Sequence, residues 1–190
     1  KINLKESATL WKKTRRSKLT TEIIKNIFRF LFLIILQVVI VQNIQLGSYI
    51  IMLPYILAII LLPFETPRLL LLFLSFILGV IIDYFFDSSG LHASACTLMG
   101  FSRYYVLKFI SPREGYDAGV QPSVENMGLA WFLSYAGTLV VIHHFYFFFI
   151  EAFRFSEFFY TFLRVILSSI GTFGFIYLLQ FLFYYKRKRS

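Results

Sequence analysis

The chain has 190 residues, 58% of them hydrophobic, with 24 Phe and 12 Tyr and a mean hydropathy of +0.70. Apolar sequence in blocks this long excludes an ordinary soluble domain, and a single cysteine, Cys96, excludes an intrachain disulfide. The net charge of +9 sits at the ends: residues 1–25 hold eight Lys/Arg against two acids, and Lys186, Arg187, Lys188 and Arg189 add four more.

Basic tails beside apolar segments follow the positive-inside rule and rest on anionic lipid head groups. No aromatic-interleaved basic motif accompanies the charge, so no nucleic-acid partner is expected. In chain order the apolar segments are Ile27–Asn43, Tyr49–Leu62, Leu69–Phe86, Leu91–Ile110, Leu129–Ile150 and Phe159–Tyr185. Each is read as a helix crossing about 30 Å of hydrocarbon, although the second is short and the fourth carries polar groups. Continuous rather than alternating apolar runs argue against a β-barrel.

The connectors agree with this division. Asn43–Ser48 is an uncharged turn, Pro63–Arg68 carries two prolines that stop one helix and start the next, and Asp87–Gly90 is a short polar turn. Ser111–Gly128 is the longest polar piece, and the last connector centres on Glu151–Glu157. Arg68, Lys108 and Arg113 fall on the same side as the two basic tails, with Arg154 the exception on the other. The first segment lacks a small-x-small site after it and is expected to remain uncleaved. The expected fold is therefore an all-α integral membrane protein of six transmembrane helices in one bundle, both termini cytoplasmic. Residues 1–25 form a flexible basic tail, 26–185 the membrane domain and 186–190 a second basic tail; Leu10 and Trp11 offer interfacial contacts in the first.

Asp83 is the most informative residue. A carboxylate inside a membrane segment is costly unless compensated. Helix rise puts it roughly 5 Å from the outer boundary, near the depth of Arg164 and His92, and these are its expected partners across the bundle. Arg103, roughly 18 Å into its segment, is expected to snorkel inward. Adjacent His143 and His144 point about 100° apart on a helix and cannot readily chelate one ion, so no metal or other cofactor is expected. Small residues form two stripes, Ala93, Cys96 or Thr97, and Gly100 in the fourth segment, and Ser168, Gly171 or Thr172, and Gly174 in the sixth. With Gly79 and Gly90 they are the expected helix-packing positions, and they place these two segments at the centre or against a partner. Motifs for hydrolysis, nucleotide binding or paired intramembrane aspartates are missing from the sequence, so no catalytic residues and no enzyme activity are expected.

The segments LPFETPR (Leu62–Arg68), GVIIDYFFDSSGLHASA (Gly79–Ala95) and KFISPREGYDAG (Lys108–Gly119) resemble the rod shape-determining MreD family in its Bacteroidetes form. The likeness covers about Ser17 to Tyr185, with Gly79, Asp83 and Gly90 matching the pattern shared across that family. It implies a non-enzymatic inner-membrane scaffold of the bacterial elongation complex, acting with MreC, and with MreB, RodA and a penicillin-binding protein, to direct side-wall peptidoglycan synthesis. The fold is also similar to substrate-binding subunits of energy-coupling-factor transporters. Their Ala-x-x-x-Ala motif has no counterpart here, because the first segment contains no Ala.

Overall fold

The structure, a computed structural model, describes residues 4–44, 50–117, 119–153 and 157–189, with side chains described for 20–41, 43–44, 50–117, 119–153 and 157–182. Among the described residues it is all-helical. The helices are α1 (Leu4–Ile35), α2 (Leu57–Ile60), α3 (Arg68–Phe86), α4 (Leu91–Phe109), α5 (Val124–Met127), α6 (Leu129–Ala152) and α7 (Phe158–Arg189). Four stretches are long and apolar enough to cross a membrane: Thr20–Ile40, Arg68–Phe86, Leu129–Ala152 and Phe158–Leu182. Leu69, Phe109 and Phe159 are all more than four-fifths exposed, as expected of side chains whose solvent is hydrocarbon. The helix α4 equals α3 in length, at 19 residues, but its His, Ser, Thr, Arg and Lys side chains dilute its apolar character.

The basic tail expected at 1–25 is helical from Leu4, and the 25/26 boundary falls inside α1. No Gly or Pro interrupts residues 4–35, so charge alone does not stop the helix. Likewise α7 runs through the expected 186 boundary to Arg189. The side chains of Leu10 and Trp11, the turn at 45–49 and Arg154 lie outside the described residues.

The largest departure is at Tyr49–Leu62, expected as the second spanning helix. Residues 50–53 carry no helix; a 3-10 turn follows at Pro54–Ile56, and α2 supplies one α-helical turn. Pro54 is the physical reason, since it donates no hydrogen bond and pushes its predecessor Leu53 out of the helical region, to ψ 58°. This broken segment is the core of the molecule: every residue from Leu53 to Leu62 is buried, and those from Tyr55 to Leu62 are at most 5% exposed. It runs antiparallel to α1, because Gln37 Nε2 donates to the Met52 carbonyl at 3.2 Å and Arg29 Nη2 to that of Leu61 at 3.0 Å. Around Gln37 the first helix loosens into a π-helical turn (Leu36–Ile40) and a 3-10 turn (Val41–Asn43).

At the end of the bundle where α3 begins, the 111–128 connector folds back over the 63–68 loop. Phe64 stacks on Tyr116 at 4.1 Å, Trp131 stands edge-on to both, and Phe64 N–H donates to the Val120 carbonyl at 3.3 Å. Tyr116 donates to the Leu107 carbonyl at 2.9 Å, and burial pushes its phenol above its usual range.

Candidate functional site

Two polar constructions converge on the broken segment, and the first is the joint between α3 and α4. Asp83, 8% exposed, turns its carboxylate onto the start of α4. One oxygen accepts from Ser88 Oγ at 2.7 Å and from His92 N–H at 2.9 Å; the other accepts from Ala93 N–H at 2.8 Å. The α4 N-terminus thus supplies the compensating positive potential, as a capping anion would find at any helix start. Gly90, at φ 87°, makes the left-handed turn that brings the amides round. Gly79 lets the backbones meet, for a Cβ there would lie 2.3 Å from Ala93 Cα.

The expected partners of Asp83 are therefore corrected in part. His92 contributes through its backbone rather than its ring, and Arg164 is engaged elsewhere, paired with Glu151 at 3.2 Å and lying over the Phe148 ring at 4.7 Å. Depth along the helices put Arg164 close, but two adjacent amides satisfy a carboxylate without the entropy of ordering a long side chain. Among the packing positions, Gly79, Ala93 and Gly100 do bring helices together, with Gly100 facing Ser75, so the α4 stripe meets α3. Gly171 receives Ile50 and Met52 at 3.3 Å. Gly90 and Gly174 have nothing within 4 Å of a built Cβ: the first serves its turn, the second faces open space.

The second construction surrounds Tyr55 at the break. Its hydroxyl lies 2.8 Å from His92 Nδ1 and 3.2 Å from His143 Nε2, with Cys96 Sγ at 3.6 Å. One hydroxyl proton serves two ring nitrogens, so Tyr55 donates to one and accepts from the other. Phe147 packs on His92 at 4.6 Å between ring centres, and the cluster is fully enclosed. His143 Nδ1 is buried without a hydrogen-bond partner among the described residues. The neighbouring ring points elsewhere: His144 meets the Val140 carbonyl and Thr172 Oγ1, each at 2.9 Å. Among the described residues no three His, Cys, Asp or Glu side chains form a group able to hold a metal ion.

Side chains from the surrounding helices also satisfy the backbone that the break leaves open. Ser168 Oγ accepts from Ile51 N–H at 3.0 Å and Thr172 Oγ1 from Leu53 N–H at 2.9 Å. At the other end the orphan carbonyls that follow α2 are met one by one. Tyr135 donates to Ile60 at 2.9 Å, Arg29 to Leu61, and Arg103 Nη2 to Leu62 and Pro63, while Arg103 Nε donates to Tyr135 at 2.7 Å. Arg103 is 1% exposed, so the expected snorkelling does not occur. A cation at a buried helix C-terminus finds carbonyl dipoles aimed at it, which is where its charge is best placed.

Tyr55, Tyr135, Gln37, Ser168 and the capping role of Arg103 were not legible as a site from sequence. The usable signal was Pro54 inside an apolar run only 14 residues long, which implies a broken backbone and hence polar side chains to serve it. No family model, curated protein or solved structure matches this chain.

Proposed function

We propose that the chain is a multi-pass subunit of a bacterial cytoplasmic membrane that crosses it six times, with both ends cytoplasmic, and serves as a non-enzymatic scaffold of the MreD type. In this reading it binds MreC and, in the same elongation complex, MreB, RodA and a penicillin-binding protein, helping direct side-wall peptidoglycan synthesis. The basic ends rest on anionic lipid. The six crossings are the four apolar helices, α4, and the broken segment that returns along α1 from Met52 to Leu61.

The observation that carries the reading is the α3–α4 joint. The residues through which the sequence resembles the family, Gly79, Asp83 and Gly90, each do structural work there: close approach, capping and turn. A pattern consumed by helix positioning suits a protein whose product is a shaped surface. The transporter reading needs Asp83, His92 and Arg164 around one pocket, and the Arg164–Glu151 pair takes away that convergence.

Depletion in the source cell tests the proposal: rounded cells and MreC recovered with the tagged chain are expected. Normal rods with no MreC recovered would overturn it. Reporter fusions at the two ends should both read cytoplasmic, and a terminus on the far side would overturn the six-crossing topology.

A further inference from the structure

A cleft of about 590 Å³ opens between the first turns of the apolar part of α1, the 119–126 connector and α7. Its charged groups are Glu22, Lys25, Arg29 and Glu125, two of each sign, and Gln121 bridges Glu22 and Arg29. Gln121 Nε2 donates to Glu22 at 3.0 Å, while its oxygen accepts from Arg29 Nη1 at 3.0 Å. Lys25 pairs with Glu22 at 2.8 Å yet remains 58% exposed. Arg29 Nε–H is a further donor, buried at the wall without a partner among the described residues.

Position identifies what such a cleft would meet. Arg29 is bonded to the Leu61 carbonyl, just inside the 63–68 loop from which the 19-residue apolar helix α3 departs. Nineteen residues rise about 28 Å, close to one hydrocarbon thickness, so that loop marks the boundary. Lys25 and Glu22 lie one and two turns outward, at the level of lipid head groups. From the cleft wall an apolar stripe runs into the hydrocarbon along α1: Ile24, Phe28, Leu31 and Ile35, spaced as one helical face and all more than half exposed.

We propose that this cleft is a binding site for a zwitterionic phospholipid carrying a primary ammonium, of the phosphatidylethanolamine type. Its phosphate lies by Lys25 and Arg29, its ammonium by Glu22 and Glu125, and one acyl chain follows the stripe from Phe28 to Ile35. Two carboxylates in the wall disfavour a head group of net negative charge, and an ammonium with N–H donors suits them better than a trimethylated one. The proposal needs only a membrane protein and is independent of the MreD reading.

The test uses the full chain in detergent, titrated with phosphatidylethanolamine, phosphatidylglycerol and phosphatidylcholine of identical acyl chains, with retained lipid counted by native mass spectrometry. Phosphatidylethanolamine should be held about tenfold more tightly than either competitor, the factor set by one charge-assisted contact. Glu22→Gln with Glu125→Gln should erase that preference. Arg29→Gln should lose the lipid, and because Arg29 also caps Leu61, the rim variant Glu22→Lys with Lys25→Gln provides a second reading that leaves the core untouched. It should turn the preference toward phosphatidylglycerol. Equal retention of the three lipids, or an order unchanged in the rim variant, overturns the proposal. Displacement by soluble glycerophosphoethanolamine as effective as by the intact lipid also overturns it, since the acyl track would then contribute nothing.

Discussion

Replacing Asp83 tests whether a helix start, rather than an arginine, carries the balance of charge at the α3–α4 joint. Its carboxylate takes three donors, two of them buried backbone amides of α4, at 2.7–2.9 Å. Asn has the same shape but one oxygen fewer, so its NH2 group must face either Ala93 N–H or the pair formed by His92 N–H and Ser88 Oγ. At least one bond becomes a donor–donor contact, and the charge–dipole attraction disappears. Hydrogen bonds to charged groups contribute about 1.5–3 kcal/mol each, so Asp83→Asn should cost about 2–4 kcal/mol. Asp83→Ala leaves both amides unmet and should cost about 3–6 kcal/mol, whereas Ser88→Ala spares them and removes only a half-exposed donor that water can replace, so it should cost less, about 0.5–1.5 kcal/mol. Equilibrium unfolding in mixed micelles, followed by circular dichroism, gives the three values. Asn within about 0.5 kcal/mol of the parent, or Ser88→Ala as damaging as Asp83→Ala, would refute the capping account. Truncating Arg164 should leave the Asp83 variants' costs unchanged, because the two side chains share no partner among the described residues.

The remaining expectations use the same unfolding assay. Gly79→Ala sets a Cβ 2.3 Å from Ala93 Cα, where only backbone could yield, and should destabilise by more than about 2 kcal/mol, whereas Gly174→Ala meets nothing and should be neutral or stabilising by up to about 1 kcal/mol. Arg103→Met orphans the Leu62 and Pro63 carbonyls and should cost about 3 kcal/mol; Arg103→Lys, keeping charge without the fork, should recover part of it. Thr172→Val removes the acceptor of Leu53 N–H and the partner of His144, for about 1–3 kcal/mol. Burial raises the Tyr116 phenol above its usual value near 10, so folding favours the neutral form. That contribution is complete below pH 10 and falls as pH rises from the unfolded value towards the folded one. An alkaline loss of stability that persists undiminished in Tyr116→Phe would disprove it.

Much of the helical frame was legible because its signals are local. Pro63 follows α2 and Pro67 marks the start of α3, the Asp87–Gly90 turn separates α3 from α4, and long apolar runs announce α6 and α7. Asp83 stood out for the same reason, as a charge in apolar surroundings. Its partners did not, since reasoning from side-chain depth overlooks backbone amides, and a helix start needs no recognisable residue to bind a carboxylate. A fully buried run reads alike whether helical or extended, because no period distinguishes a segment apolar on every side. Leu53–Leu62 is that case, and Pro54 alone marked it. Small-residue stripes showed that helices meet but not which: the α4 stripe receives α3, and in the sixth segment Gly171 receives the broken segment while Gly174 receives nothing.

The break also explains why so many polar side chains are tolerated in the interior. Extended backbone at membrane depth is viable only if protein groups satisfy it, each unmet N–H or C=O costing several kcal/mol in hydrocarbon. Here α1 supplies Gln37 and Arg29, α4 supplies Arg103, α6 supplies Tyr135, and α7 supplies Ser168 and Thr172. Apart from the half-buried Arg29, those groups are in turn buried, and a straight apolar helix in the same place would deprive them of these partners. Segment and lining therefore specify one another, and four helices are held in register by a strand of chain that could not stand without them. Straightening the break by Pro54→Leu would be expected to loosen the whole bundle rather than stabilise one crossing, since it would take away the backbone partners of Ser168, Thr172, Gln37 and Arg103.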